Sequence, residues 1–128
     1  MASQDSRPVN LDLTKFSFPV TAIASIAHRV CAVISWVGIA ALIAYVYFAK
    51  GSLDEFNATS SLIENNFFIQ FCLWGFASAF GYYCTGTAKH LIQDLGYFED
   101  FEGGKLISWA ALLAAAVLSA AIGAMIWA

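Results

Sequence analysis

Three residues near the start of the first apolar run carry groups that could bind a polar ligand. Ser25, His28 and Arg29 are spaced so that their side chains share one face of a helix. An arginine at the centre of a membrane helix costs about 2.5–3.5 kcal/mol, and less near the end, so its presence needs a reason. Arg29 alone could extend to lipid phosphates. Together with a hydroxyl and an imidazole it indicates a polar pocket.

A quinone has the chemistry that such a pocket could bind. Its head group offers two carbonyl acceptors, and Ser25 and Arg29 both supply hydrogen-bond donors. Its isoprenoid tail would lie in lipid. The sequence therefore predicts quinone-binding residues at Ser25 and Arg29, with Ile26 between them.

Three uncharged runs supply the helices that must position these residues. Residues 30–49, 67–88 and 106–128 contain no Asp, Glu, Lys, Arg or His. A span of about 20 apolar residues crosses a hydrocarbon core of about 30 Å. Lipid offers no partner for an unpaired peptide group, so each run must be a helix. We expect an all-α membrane protein whose three transmembrane helices cover residues 21–50, 64–92 and 104–127, after an N-terminal arm at residues 1–20.

The composition leaves little room for anything else. Of 128 residues, 60% are hydrophobic and 12% are charged, so a separate soluble domain is not expected. Residues 21–128 should form one membrane domain. Three helices bury little surface against one another, which predicts further membrane subunits as partners. No nucleic-acid partner is expected.

The basic residues predict the orientation of the helices. Five lie before or at the start of the first helix or around the loop after the second, and one lies in the first loop; these are Arg7, Lys15, Arg29, Lys89 and Lys105 against Lys50. The excess of positive charge marks the cytoplasmic side. The N-terminus should therefore be cytoplasmic and the C-terminus outside, with both Arg29 and His90 towards the cytoplasm.

Two further patterns concern packing. Small residues recur every fourth position along the third helix, at Ala111, Ala115, Ser119 and Gly123. Such a ridge allows close approach of a neighbouring helix. The three cysteines lie in the apolar regions without a CxxC spacing, at Cys31, Cys72 and Cys84. They are expected to be small buried apolar residues and not disulfides or metal ligands.

Two motifs and a lead-in segment together carry a family resemblance. They are Ser25-Ile26-Ala27-His28-Arg29, the preceding Arg-Pro-Val-Asn-Leu at residues 7–11, and Lys89-His90-x-x-x-Asp94-x-Gly96. The chain resembles, over nearly its whole length, the cytochrome b membrane-anchor subunit of succinate dehydrogenase, the enzyme that is respiratory complex II. Each motif alone would be weak.

The resemblance implies partners and cofactors. Such a subunit pairs with a second three-helix anchor, and the pair holds an iron–sulfur subunit and a flavoprotein, which contain the iron–sulfur clusters and FAD. Ubiquinone is reduced where the anchor meets the iron–sulfur subunit. Ser25, Ile26 and Arg29 would then be quinone-site residues, and His28 would neighbour the propionates of a haem b. Asp94 would border the site and relay protons, or would simply anchor the helix end.

One departure from the family concerns the haem. The family has an axial histidine seven residues before the position of His90, where this chain has Tyr83. Three alternatives follow: no haem, a haem held by another residue such as His90, His28 or one of the partner, or Tyr83 as the metal ligand. Tyrosinate can ligate ferric haem but needs a strong partner to ionise. His90 is expected to contact a propionate or an interface. The sequence predicts a working quinone site whose haem is missing or abnormally ligated.

Other functions remain open from sequence. A fumarate reductase anchor would run the reverse reaction, and a structural membrane scaffold would have no quinone site. A transporter or channel is disfavoured because it would place polar residues through the middle of the bilayer, and here they gather at one end. The expected location is the bacterial or the mitochondrial inner membrane.

Overall fold

The fold is a bundle of three long helices with one short helix. The structure, a computed structural model, describes residues 18–128. Its four helices are α1 (Val20–Ala49), α2 (Leu53–Glu64), α3 (Phe67–Asp94) and α4 (Phe101–Trp127), and no strand occurs in the described part of the chain. Helices α1, α3 and α4 are long and apolar enough to cross a membrane, as predicted. Most of the predicted arm, including Arg7 and Lys15, lies outside the described residues.

Side-chain caps place the starts of three helices. The Ser52 hydroxyl accepts a hydrogen bond from the Glu55 amide (3.1 Å). This cap lies at the start of α2, in the loop predicted between the first two transmembrane helices. Asn66 and Asp100 do the same for α3 and α4, each at 3.2 Å. These caps satisfy amides that have no partner within the helix. They explain why α3 begins at 67 and not at 64, and why α4 begins at 101 and not at 104.

A glycine ends α3. Gly96 has a φ of 90°, which favours a residue without a Cβ. The Gly96 amide donates to the Gln93 carbonyl (3.0 Å) and the Tyr97 amide to the Ile92 carbonyl (3.3 Å). This pair of bonds is the Schellman arrangement, which satisfies the last carbonyls of a helix. It turns the chain towards α4.

The long helices pack side by side, with α3 antiparallel to both α1 and α4. The small-residue ridge of α4 faces α3 of the same chain. Trp74 Nε1 donates to the Ser119 carbonyl (3.0 Å), and the Ser78 and Ser119 hydroxyls are 2.8 Å apart. A Cβ at Gly123 would lie 3.3 Å from Trp74 Nε1. The predicted neighbour of the ridge is therefore internal, and the ridge gives no argument for a partner subunit.

The core is thin. Its buried apolar residues are Ala24, Ala79, Tyr82, Ile107 and Ala111. Many large apolar side chains of the spans face outwards, such as Trp36 at 74% exposure. Cys72 and Cys84 are also exposed, and Cys31 is half-buried. The expectation that the cysteines are buried in this chain was wrong, because three helices cannot enclose every small residue of their spans. All three thiols are free.

One buried hydrogen bond joins α3 to α1. Tyr82 is buried, and its hydroxyl donates to the Ala24 carbonyl over 2.7 Å. The apolar ring fills the interface, and the hydroxyl has no water to return to if the bond is broken. This contact fixes the distance between α1 and α3 next to Ser25.

Replacing Tyr82 with Phe should lower the free energy of unfolding by about 1 kcal/mol, because an interhelical hydrogen bond is lost without a change in ring packing. The midpoint of unfolding by sodium dodecyl sulfate, followed by circular dichroism, measures the loss. Tyr47→Phe is the matched control, since Tyr47 is exposed. Equal midpoints for Tyr82→Phe and the native protein would show that this bond does not hold α1 on α3.

Candidate functional site

The polar residues at the start of α1 meet the end of α3 through a glycine. A Cβ placed on Gly86 would lie 2.5 Å from Cδ2 of His28. That distance is too short for a real carbon contact, so only glycine lets the imidazole rest on the α3 backbone. No role was predicted for Gly86 from the sequence. Residues 28 and 86 are far apart in the chain, so no sequence spacing indicates that they are in contact.

Thr87 fixes the proton on the His28 ring. The Thr87 hydroxyl donates to the Tyr83 carbonyl over 2.8 Å, and its oxygen lies 3.1 Å from His28 Nε2. Since the hydroxyl hydrogen is used on the carbonyl, Nε2 must be the donor and Thr87 the acceptor. In the neutral ring, Nδ1 is then the unprotonated nitrogen. Thr87 is a second residue that sequence reasoning did not assign to the site.

Two aromatic rings complete this contact. The Tyr83 ring is stacked on His28, with centroids 5.0 Å apart and an angle of 11° between the planes. The His90 ring meets His28 edge-on at 5.3 Å. We call His28, Tyr83, Gly86, Thr87 and His90 the His28 seam. The structure thus brings together the three residues predicted as haem neighbours, and it packs them against one another.

Ser25, Ile26 and Arg29 lie outside the seam. Ile26 and Arg29 are exposed and Ser25 is half-buried. Neither the Ser25 hydroxyl nor the Arg29 guanidinium forms a hydrogen bond or ion pair with a described residue. Both donors are therefore unused within the described part of the chain. Their prediction as binding residues remains a prediction.

The other charged groups at this end of the bundle are separate from these donors. Asp94 is the last residue of α3 and is exposed, and the structure forms no contact between it and Ser25 or Arg29. Lys89 is buried at 7% exposure, which its position beside a loop did not predict. The Lys89 side chain therefore packs within the bundle, next to His90 on α3.

Ser25 and Arg29 do not line the groove at this end of the bundle. A groove of about 410 Å³ lies nearby, between the start of α1 and the start of α4. Its lining includes Thr21, Lys105 and Trp109, but neither Ser25 nor Arg29. A ligand held by those two residues would take its further contacts from outside the described residues.

Comparisons with known proteins give the family. The family model described as "Succinate dehydrogenase/Fumarate reductase transmembrane subunit" matches residues 3–122. The chain belongs to this family. It is 31% identical over 121 residues to the succinate dehydrogenase cytochrome b556 subunit of Coxiella burnetii, covering 94% of this chain and 97% of that protein. The family resemblance and the multi-pass membrane location expected from the sequence are confirmed.

The close approach at Gly86 gives a testable consequence. Gly86→Ala should lower the free energy of unfolding by about 1–3 kcal/mol, because the His28 ring must move and release Thr87. Gly75→Ala is the control, since nothing lies within 4 Å of a Cβ there. It should be neutral or slightly stabilising, because alanine is the better helix former. Thermal unfolding followed by circular dichroism compares the two; an equal effect of both would contradict the packing of His28 on α3.

Proposed function

We propose that this chain is a membrane-anchor subunit of a succinate:quinone oxidoreductase, and that Ser25 and Arg29 form one wall of its ubiquinone-reduction site. The single observation that carries the proposal is that two donors, one turn apart on α1, have no partner among the described residues. Family membership supplies the class of reaction.

The depth of Arg29 supports a ligand in the membrane. It lies nine residues after the start of α1 at Val20, which is about 14 Å along the helix axis. Because the adjacent His28 contacts His90 near the head-group boundary, the Arg29 guanidinium lies at the edge of the hydrocarbon core, where it is more stable with an acceptor. A quinone carbonyl is such an acceptor, and the apolar tail of a quinone can remain in lipid beside exposed Ile26.

The chemistry required of this chain is modest. Reduction of a quinone takes up two electrons and two protons, and each carbonyl oxygen becomes a hydroxyl. Arg29 would hydrogen-bond one oxygen and stabilise the negative charge that grows there as electrons arrive. Ser25 would donate a second bond and hold the ring in place. Asp94, exposed at the end of α3, would bring protons from the aqueous side.

The electrons would come from partner subunits. We propose a flavoprotein that oxidises succinate on FAD, an iron–sulfur subunit beside the quinone, and a second three-helix anchor. The open side of the Ser25 and Arg29 surface and the exposed apolar faces of the bundle support such partners. In the orientation favoured by the basic residues, this end of the bundle faces the cytoplasm, or the matrix in a mitochondrion.

A fumarate reductase anchor is the second candidate. The description of the family includes both enzymes. The same donors would bind quinone and quinol, so residues of the site do not set the direction. A scaffold without a quinone site is the other alternative, and it predicts that Arg29 can be replaced without loss of activity.

Replacing Arg29 with Leu in the assembled complex tests the proposal. Loss of a charge-assisted hydrogen bond of about 1.5–3 kcal/mol should lower kcat/KM for ubiquinone about ten- to a hundredfold. Oxidation of succinate with a soluble artificial acceptor should be unchanged, because that reaction does not use the anchor site. Lys50→Leu, at the other end of α1, is the control and should leave both activities intact.

The outcomes separate the alternatives. Unchanged quinone reduction in Arg29→Leu would contradict the proposed site and favour the scaffold. Loss of both activities together with loss of the assembled complex would show that Arg29 contacts a partner subunit instead of the quinone.

A further inference from the structure

The name of the relative raises the question of a haem. That protein is named as a cytochrome b556 subunit, and the iron of a b-type haem takes axial ligands from side chains such as imidazole. The present chain has two histidines, His28 and His90, and both are within the described residues. Whether either ring fits an iron ligand can be read from its contacts.

The His28 ring is committed to the seam. Its Nε2 donates to Thr87, one face is covered by Tyr83, and Cδ2 rests on the backbone of Gly86. A ligating nitrogen must have its lone pair free and aimed at the metal. Nε2 carries a proton and points at a hydroxyl. The remaining nitrogen, Nδ1, lies next to the Cβ and the backbone of His28 itself, which crowd the large macrocycle of a haem.

His90 lies at the wrong depth. It is four residues before the end of α3 at Asp94, about 6 Å along the axis of a helix about 42 Å long. That places the ring near the head-group boundary, given a hydrocarbon core of about 30 Å. The largely apolar macrocycle of a haem belongs deeper. The only aromatic residue on this face two turns deeper is Tyr83, about 10 Å further into the bilayer.

Tyr83 does not fit an iron ligand either. A phenol binds iron as phenolate, and ionisation at low dielectric needs a cation or donor beside the oxygen. The Tyr83 hydroxyl has no hydrogen-bond partner among residues 18–128. Its ring instead serves as a packing surface for His28. The residues present therefore do not fit a b-type haem.

We infer that the His28 seam takes the place of a haem in this chain: the chain provides no imidazole ligand to iron, and its α1–α3 contact forms without the cofactor. Tyr83 accounts for this, because its ring stacks on His28 at the depth on α3 where an imidazole could ligate a haem. The inference rests on the proposed function, since it concerns the complex in which the chain works.

Expression in a host that cannot make haem tests the inference. In a strain requiring 5-aminolevulinate, grown without it on a fermentable substrate, the complex should assemble with the same subunit stoichiometry and the same thermal stability as with haem supplied. Loss of assembly or of stability without haem would overturn the inference. This measurement does not depend on quinone activity, so it can fail while the proposed quinone site stands.

Spectra of the complex from haem-sufficient cells give the second measurement. The pyridine haemochrome should show no stoichiometric haem, or a haem whose electron paramagnetic resonance is unchanged by His28→Gly and His90→Gly. A bis-imidazole signal that is lost in either variant and restored by added imidazole would show direct ligation by this chain. That result would overturn the inference.

A gain of haem tests the role of Tyr83. Tyr83→His places an imidazole at that depth and should raise the haem content of the complex, with a low-spin b-type spectrum. Tyr83→Phe should not, because the stack is kept. Cys84→His, at the same depth but on an exposed face, is the matched control. Equal haem content in the native complex and in Tyr83→His would show that Tyr83 does not decide haem binding.

Discussion

The contact of His28 with Thr87 across Gly86 determines what the rest of this end of the bundle can do. It holds the start of α1 on the end of α3 and fixes the rotation of α1 about its axis. Successive residues of a helix are about 100° apart, so with His28 turned inwards, Arg29 must face outwards. The partition into a closed seam and an open pair of donors follows from that single rotation.

The division into paired and unpaired polar residues matters because these residues lie in a membrane helix. Outside water, polar groups that are not paired within the chain must find a ligand, a lipid head group or a partner protein. Within the seam His28 Nε2 pairs with Thr87, whereas Ser25 and Arg29 have no partner among the described residues. The thin core and the large exposed apolar faces fit the same environment, because lipid or another subunit can cover them.

Much of the fold could be predicted from the sequence, because lipid removes the alternatives. An uncharged run of about 20 residues must be a helix, which gave α1, α3 and α4 and their approximate bounds. The exact starts needed the caps at Asn66 and Asp100, whose effect on an apolar pattern is small. The exposure of Cys72 and Cys84 could not be foreseen, since it depends on which side of each helix faces its neighbours.

The candidate site could be predicted only in part. Helical spacing placed Ser25, His28 and Arg29 on one face, but spacing does not say which of them turns towards α3. The answer depends on Gly86 and Thr87, which are ordinary residues in an apolar run until the helices are packed.

A structure of the purified complex with a bound quinone analogue tests the central claim most directly. The account predicts that the head group lies at the start of α1, with its carbonyl oxygens within about 3 Å of the Ser25 hydroxyl or the Arg29 guanidinium, against a partner subunit. A head group bound elsewhere, such as the groove lined by Lys50 and Glu55 at the other end of α1, with Arg29 paired to protein or lipid, would contradict it.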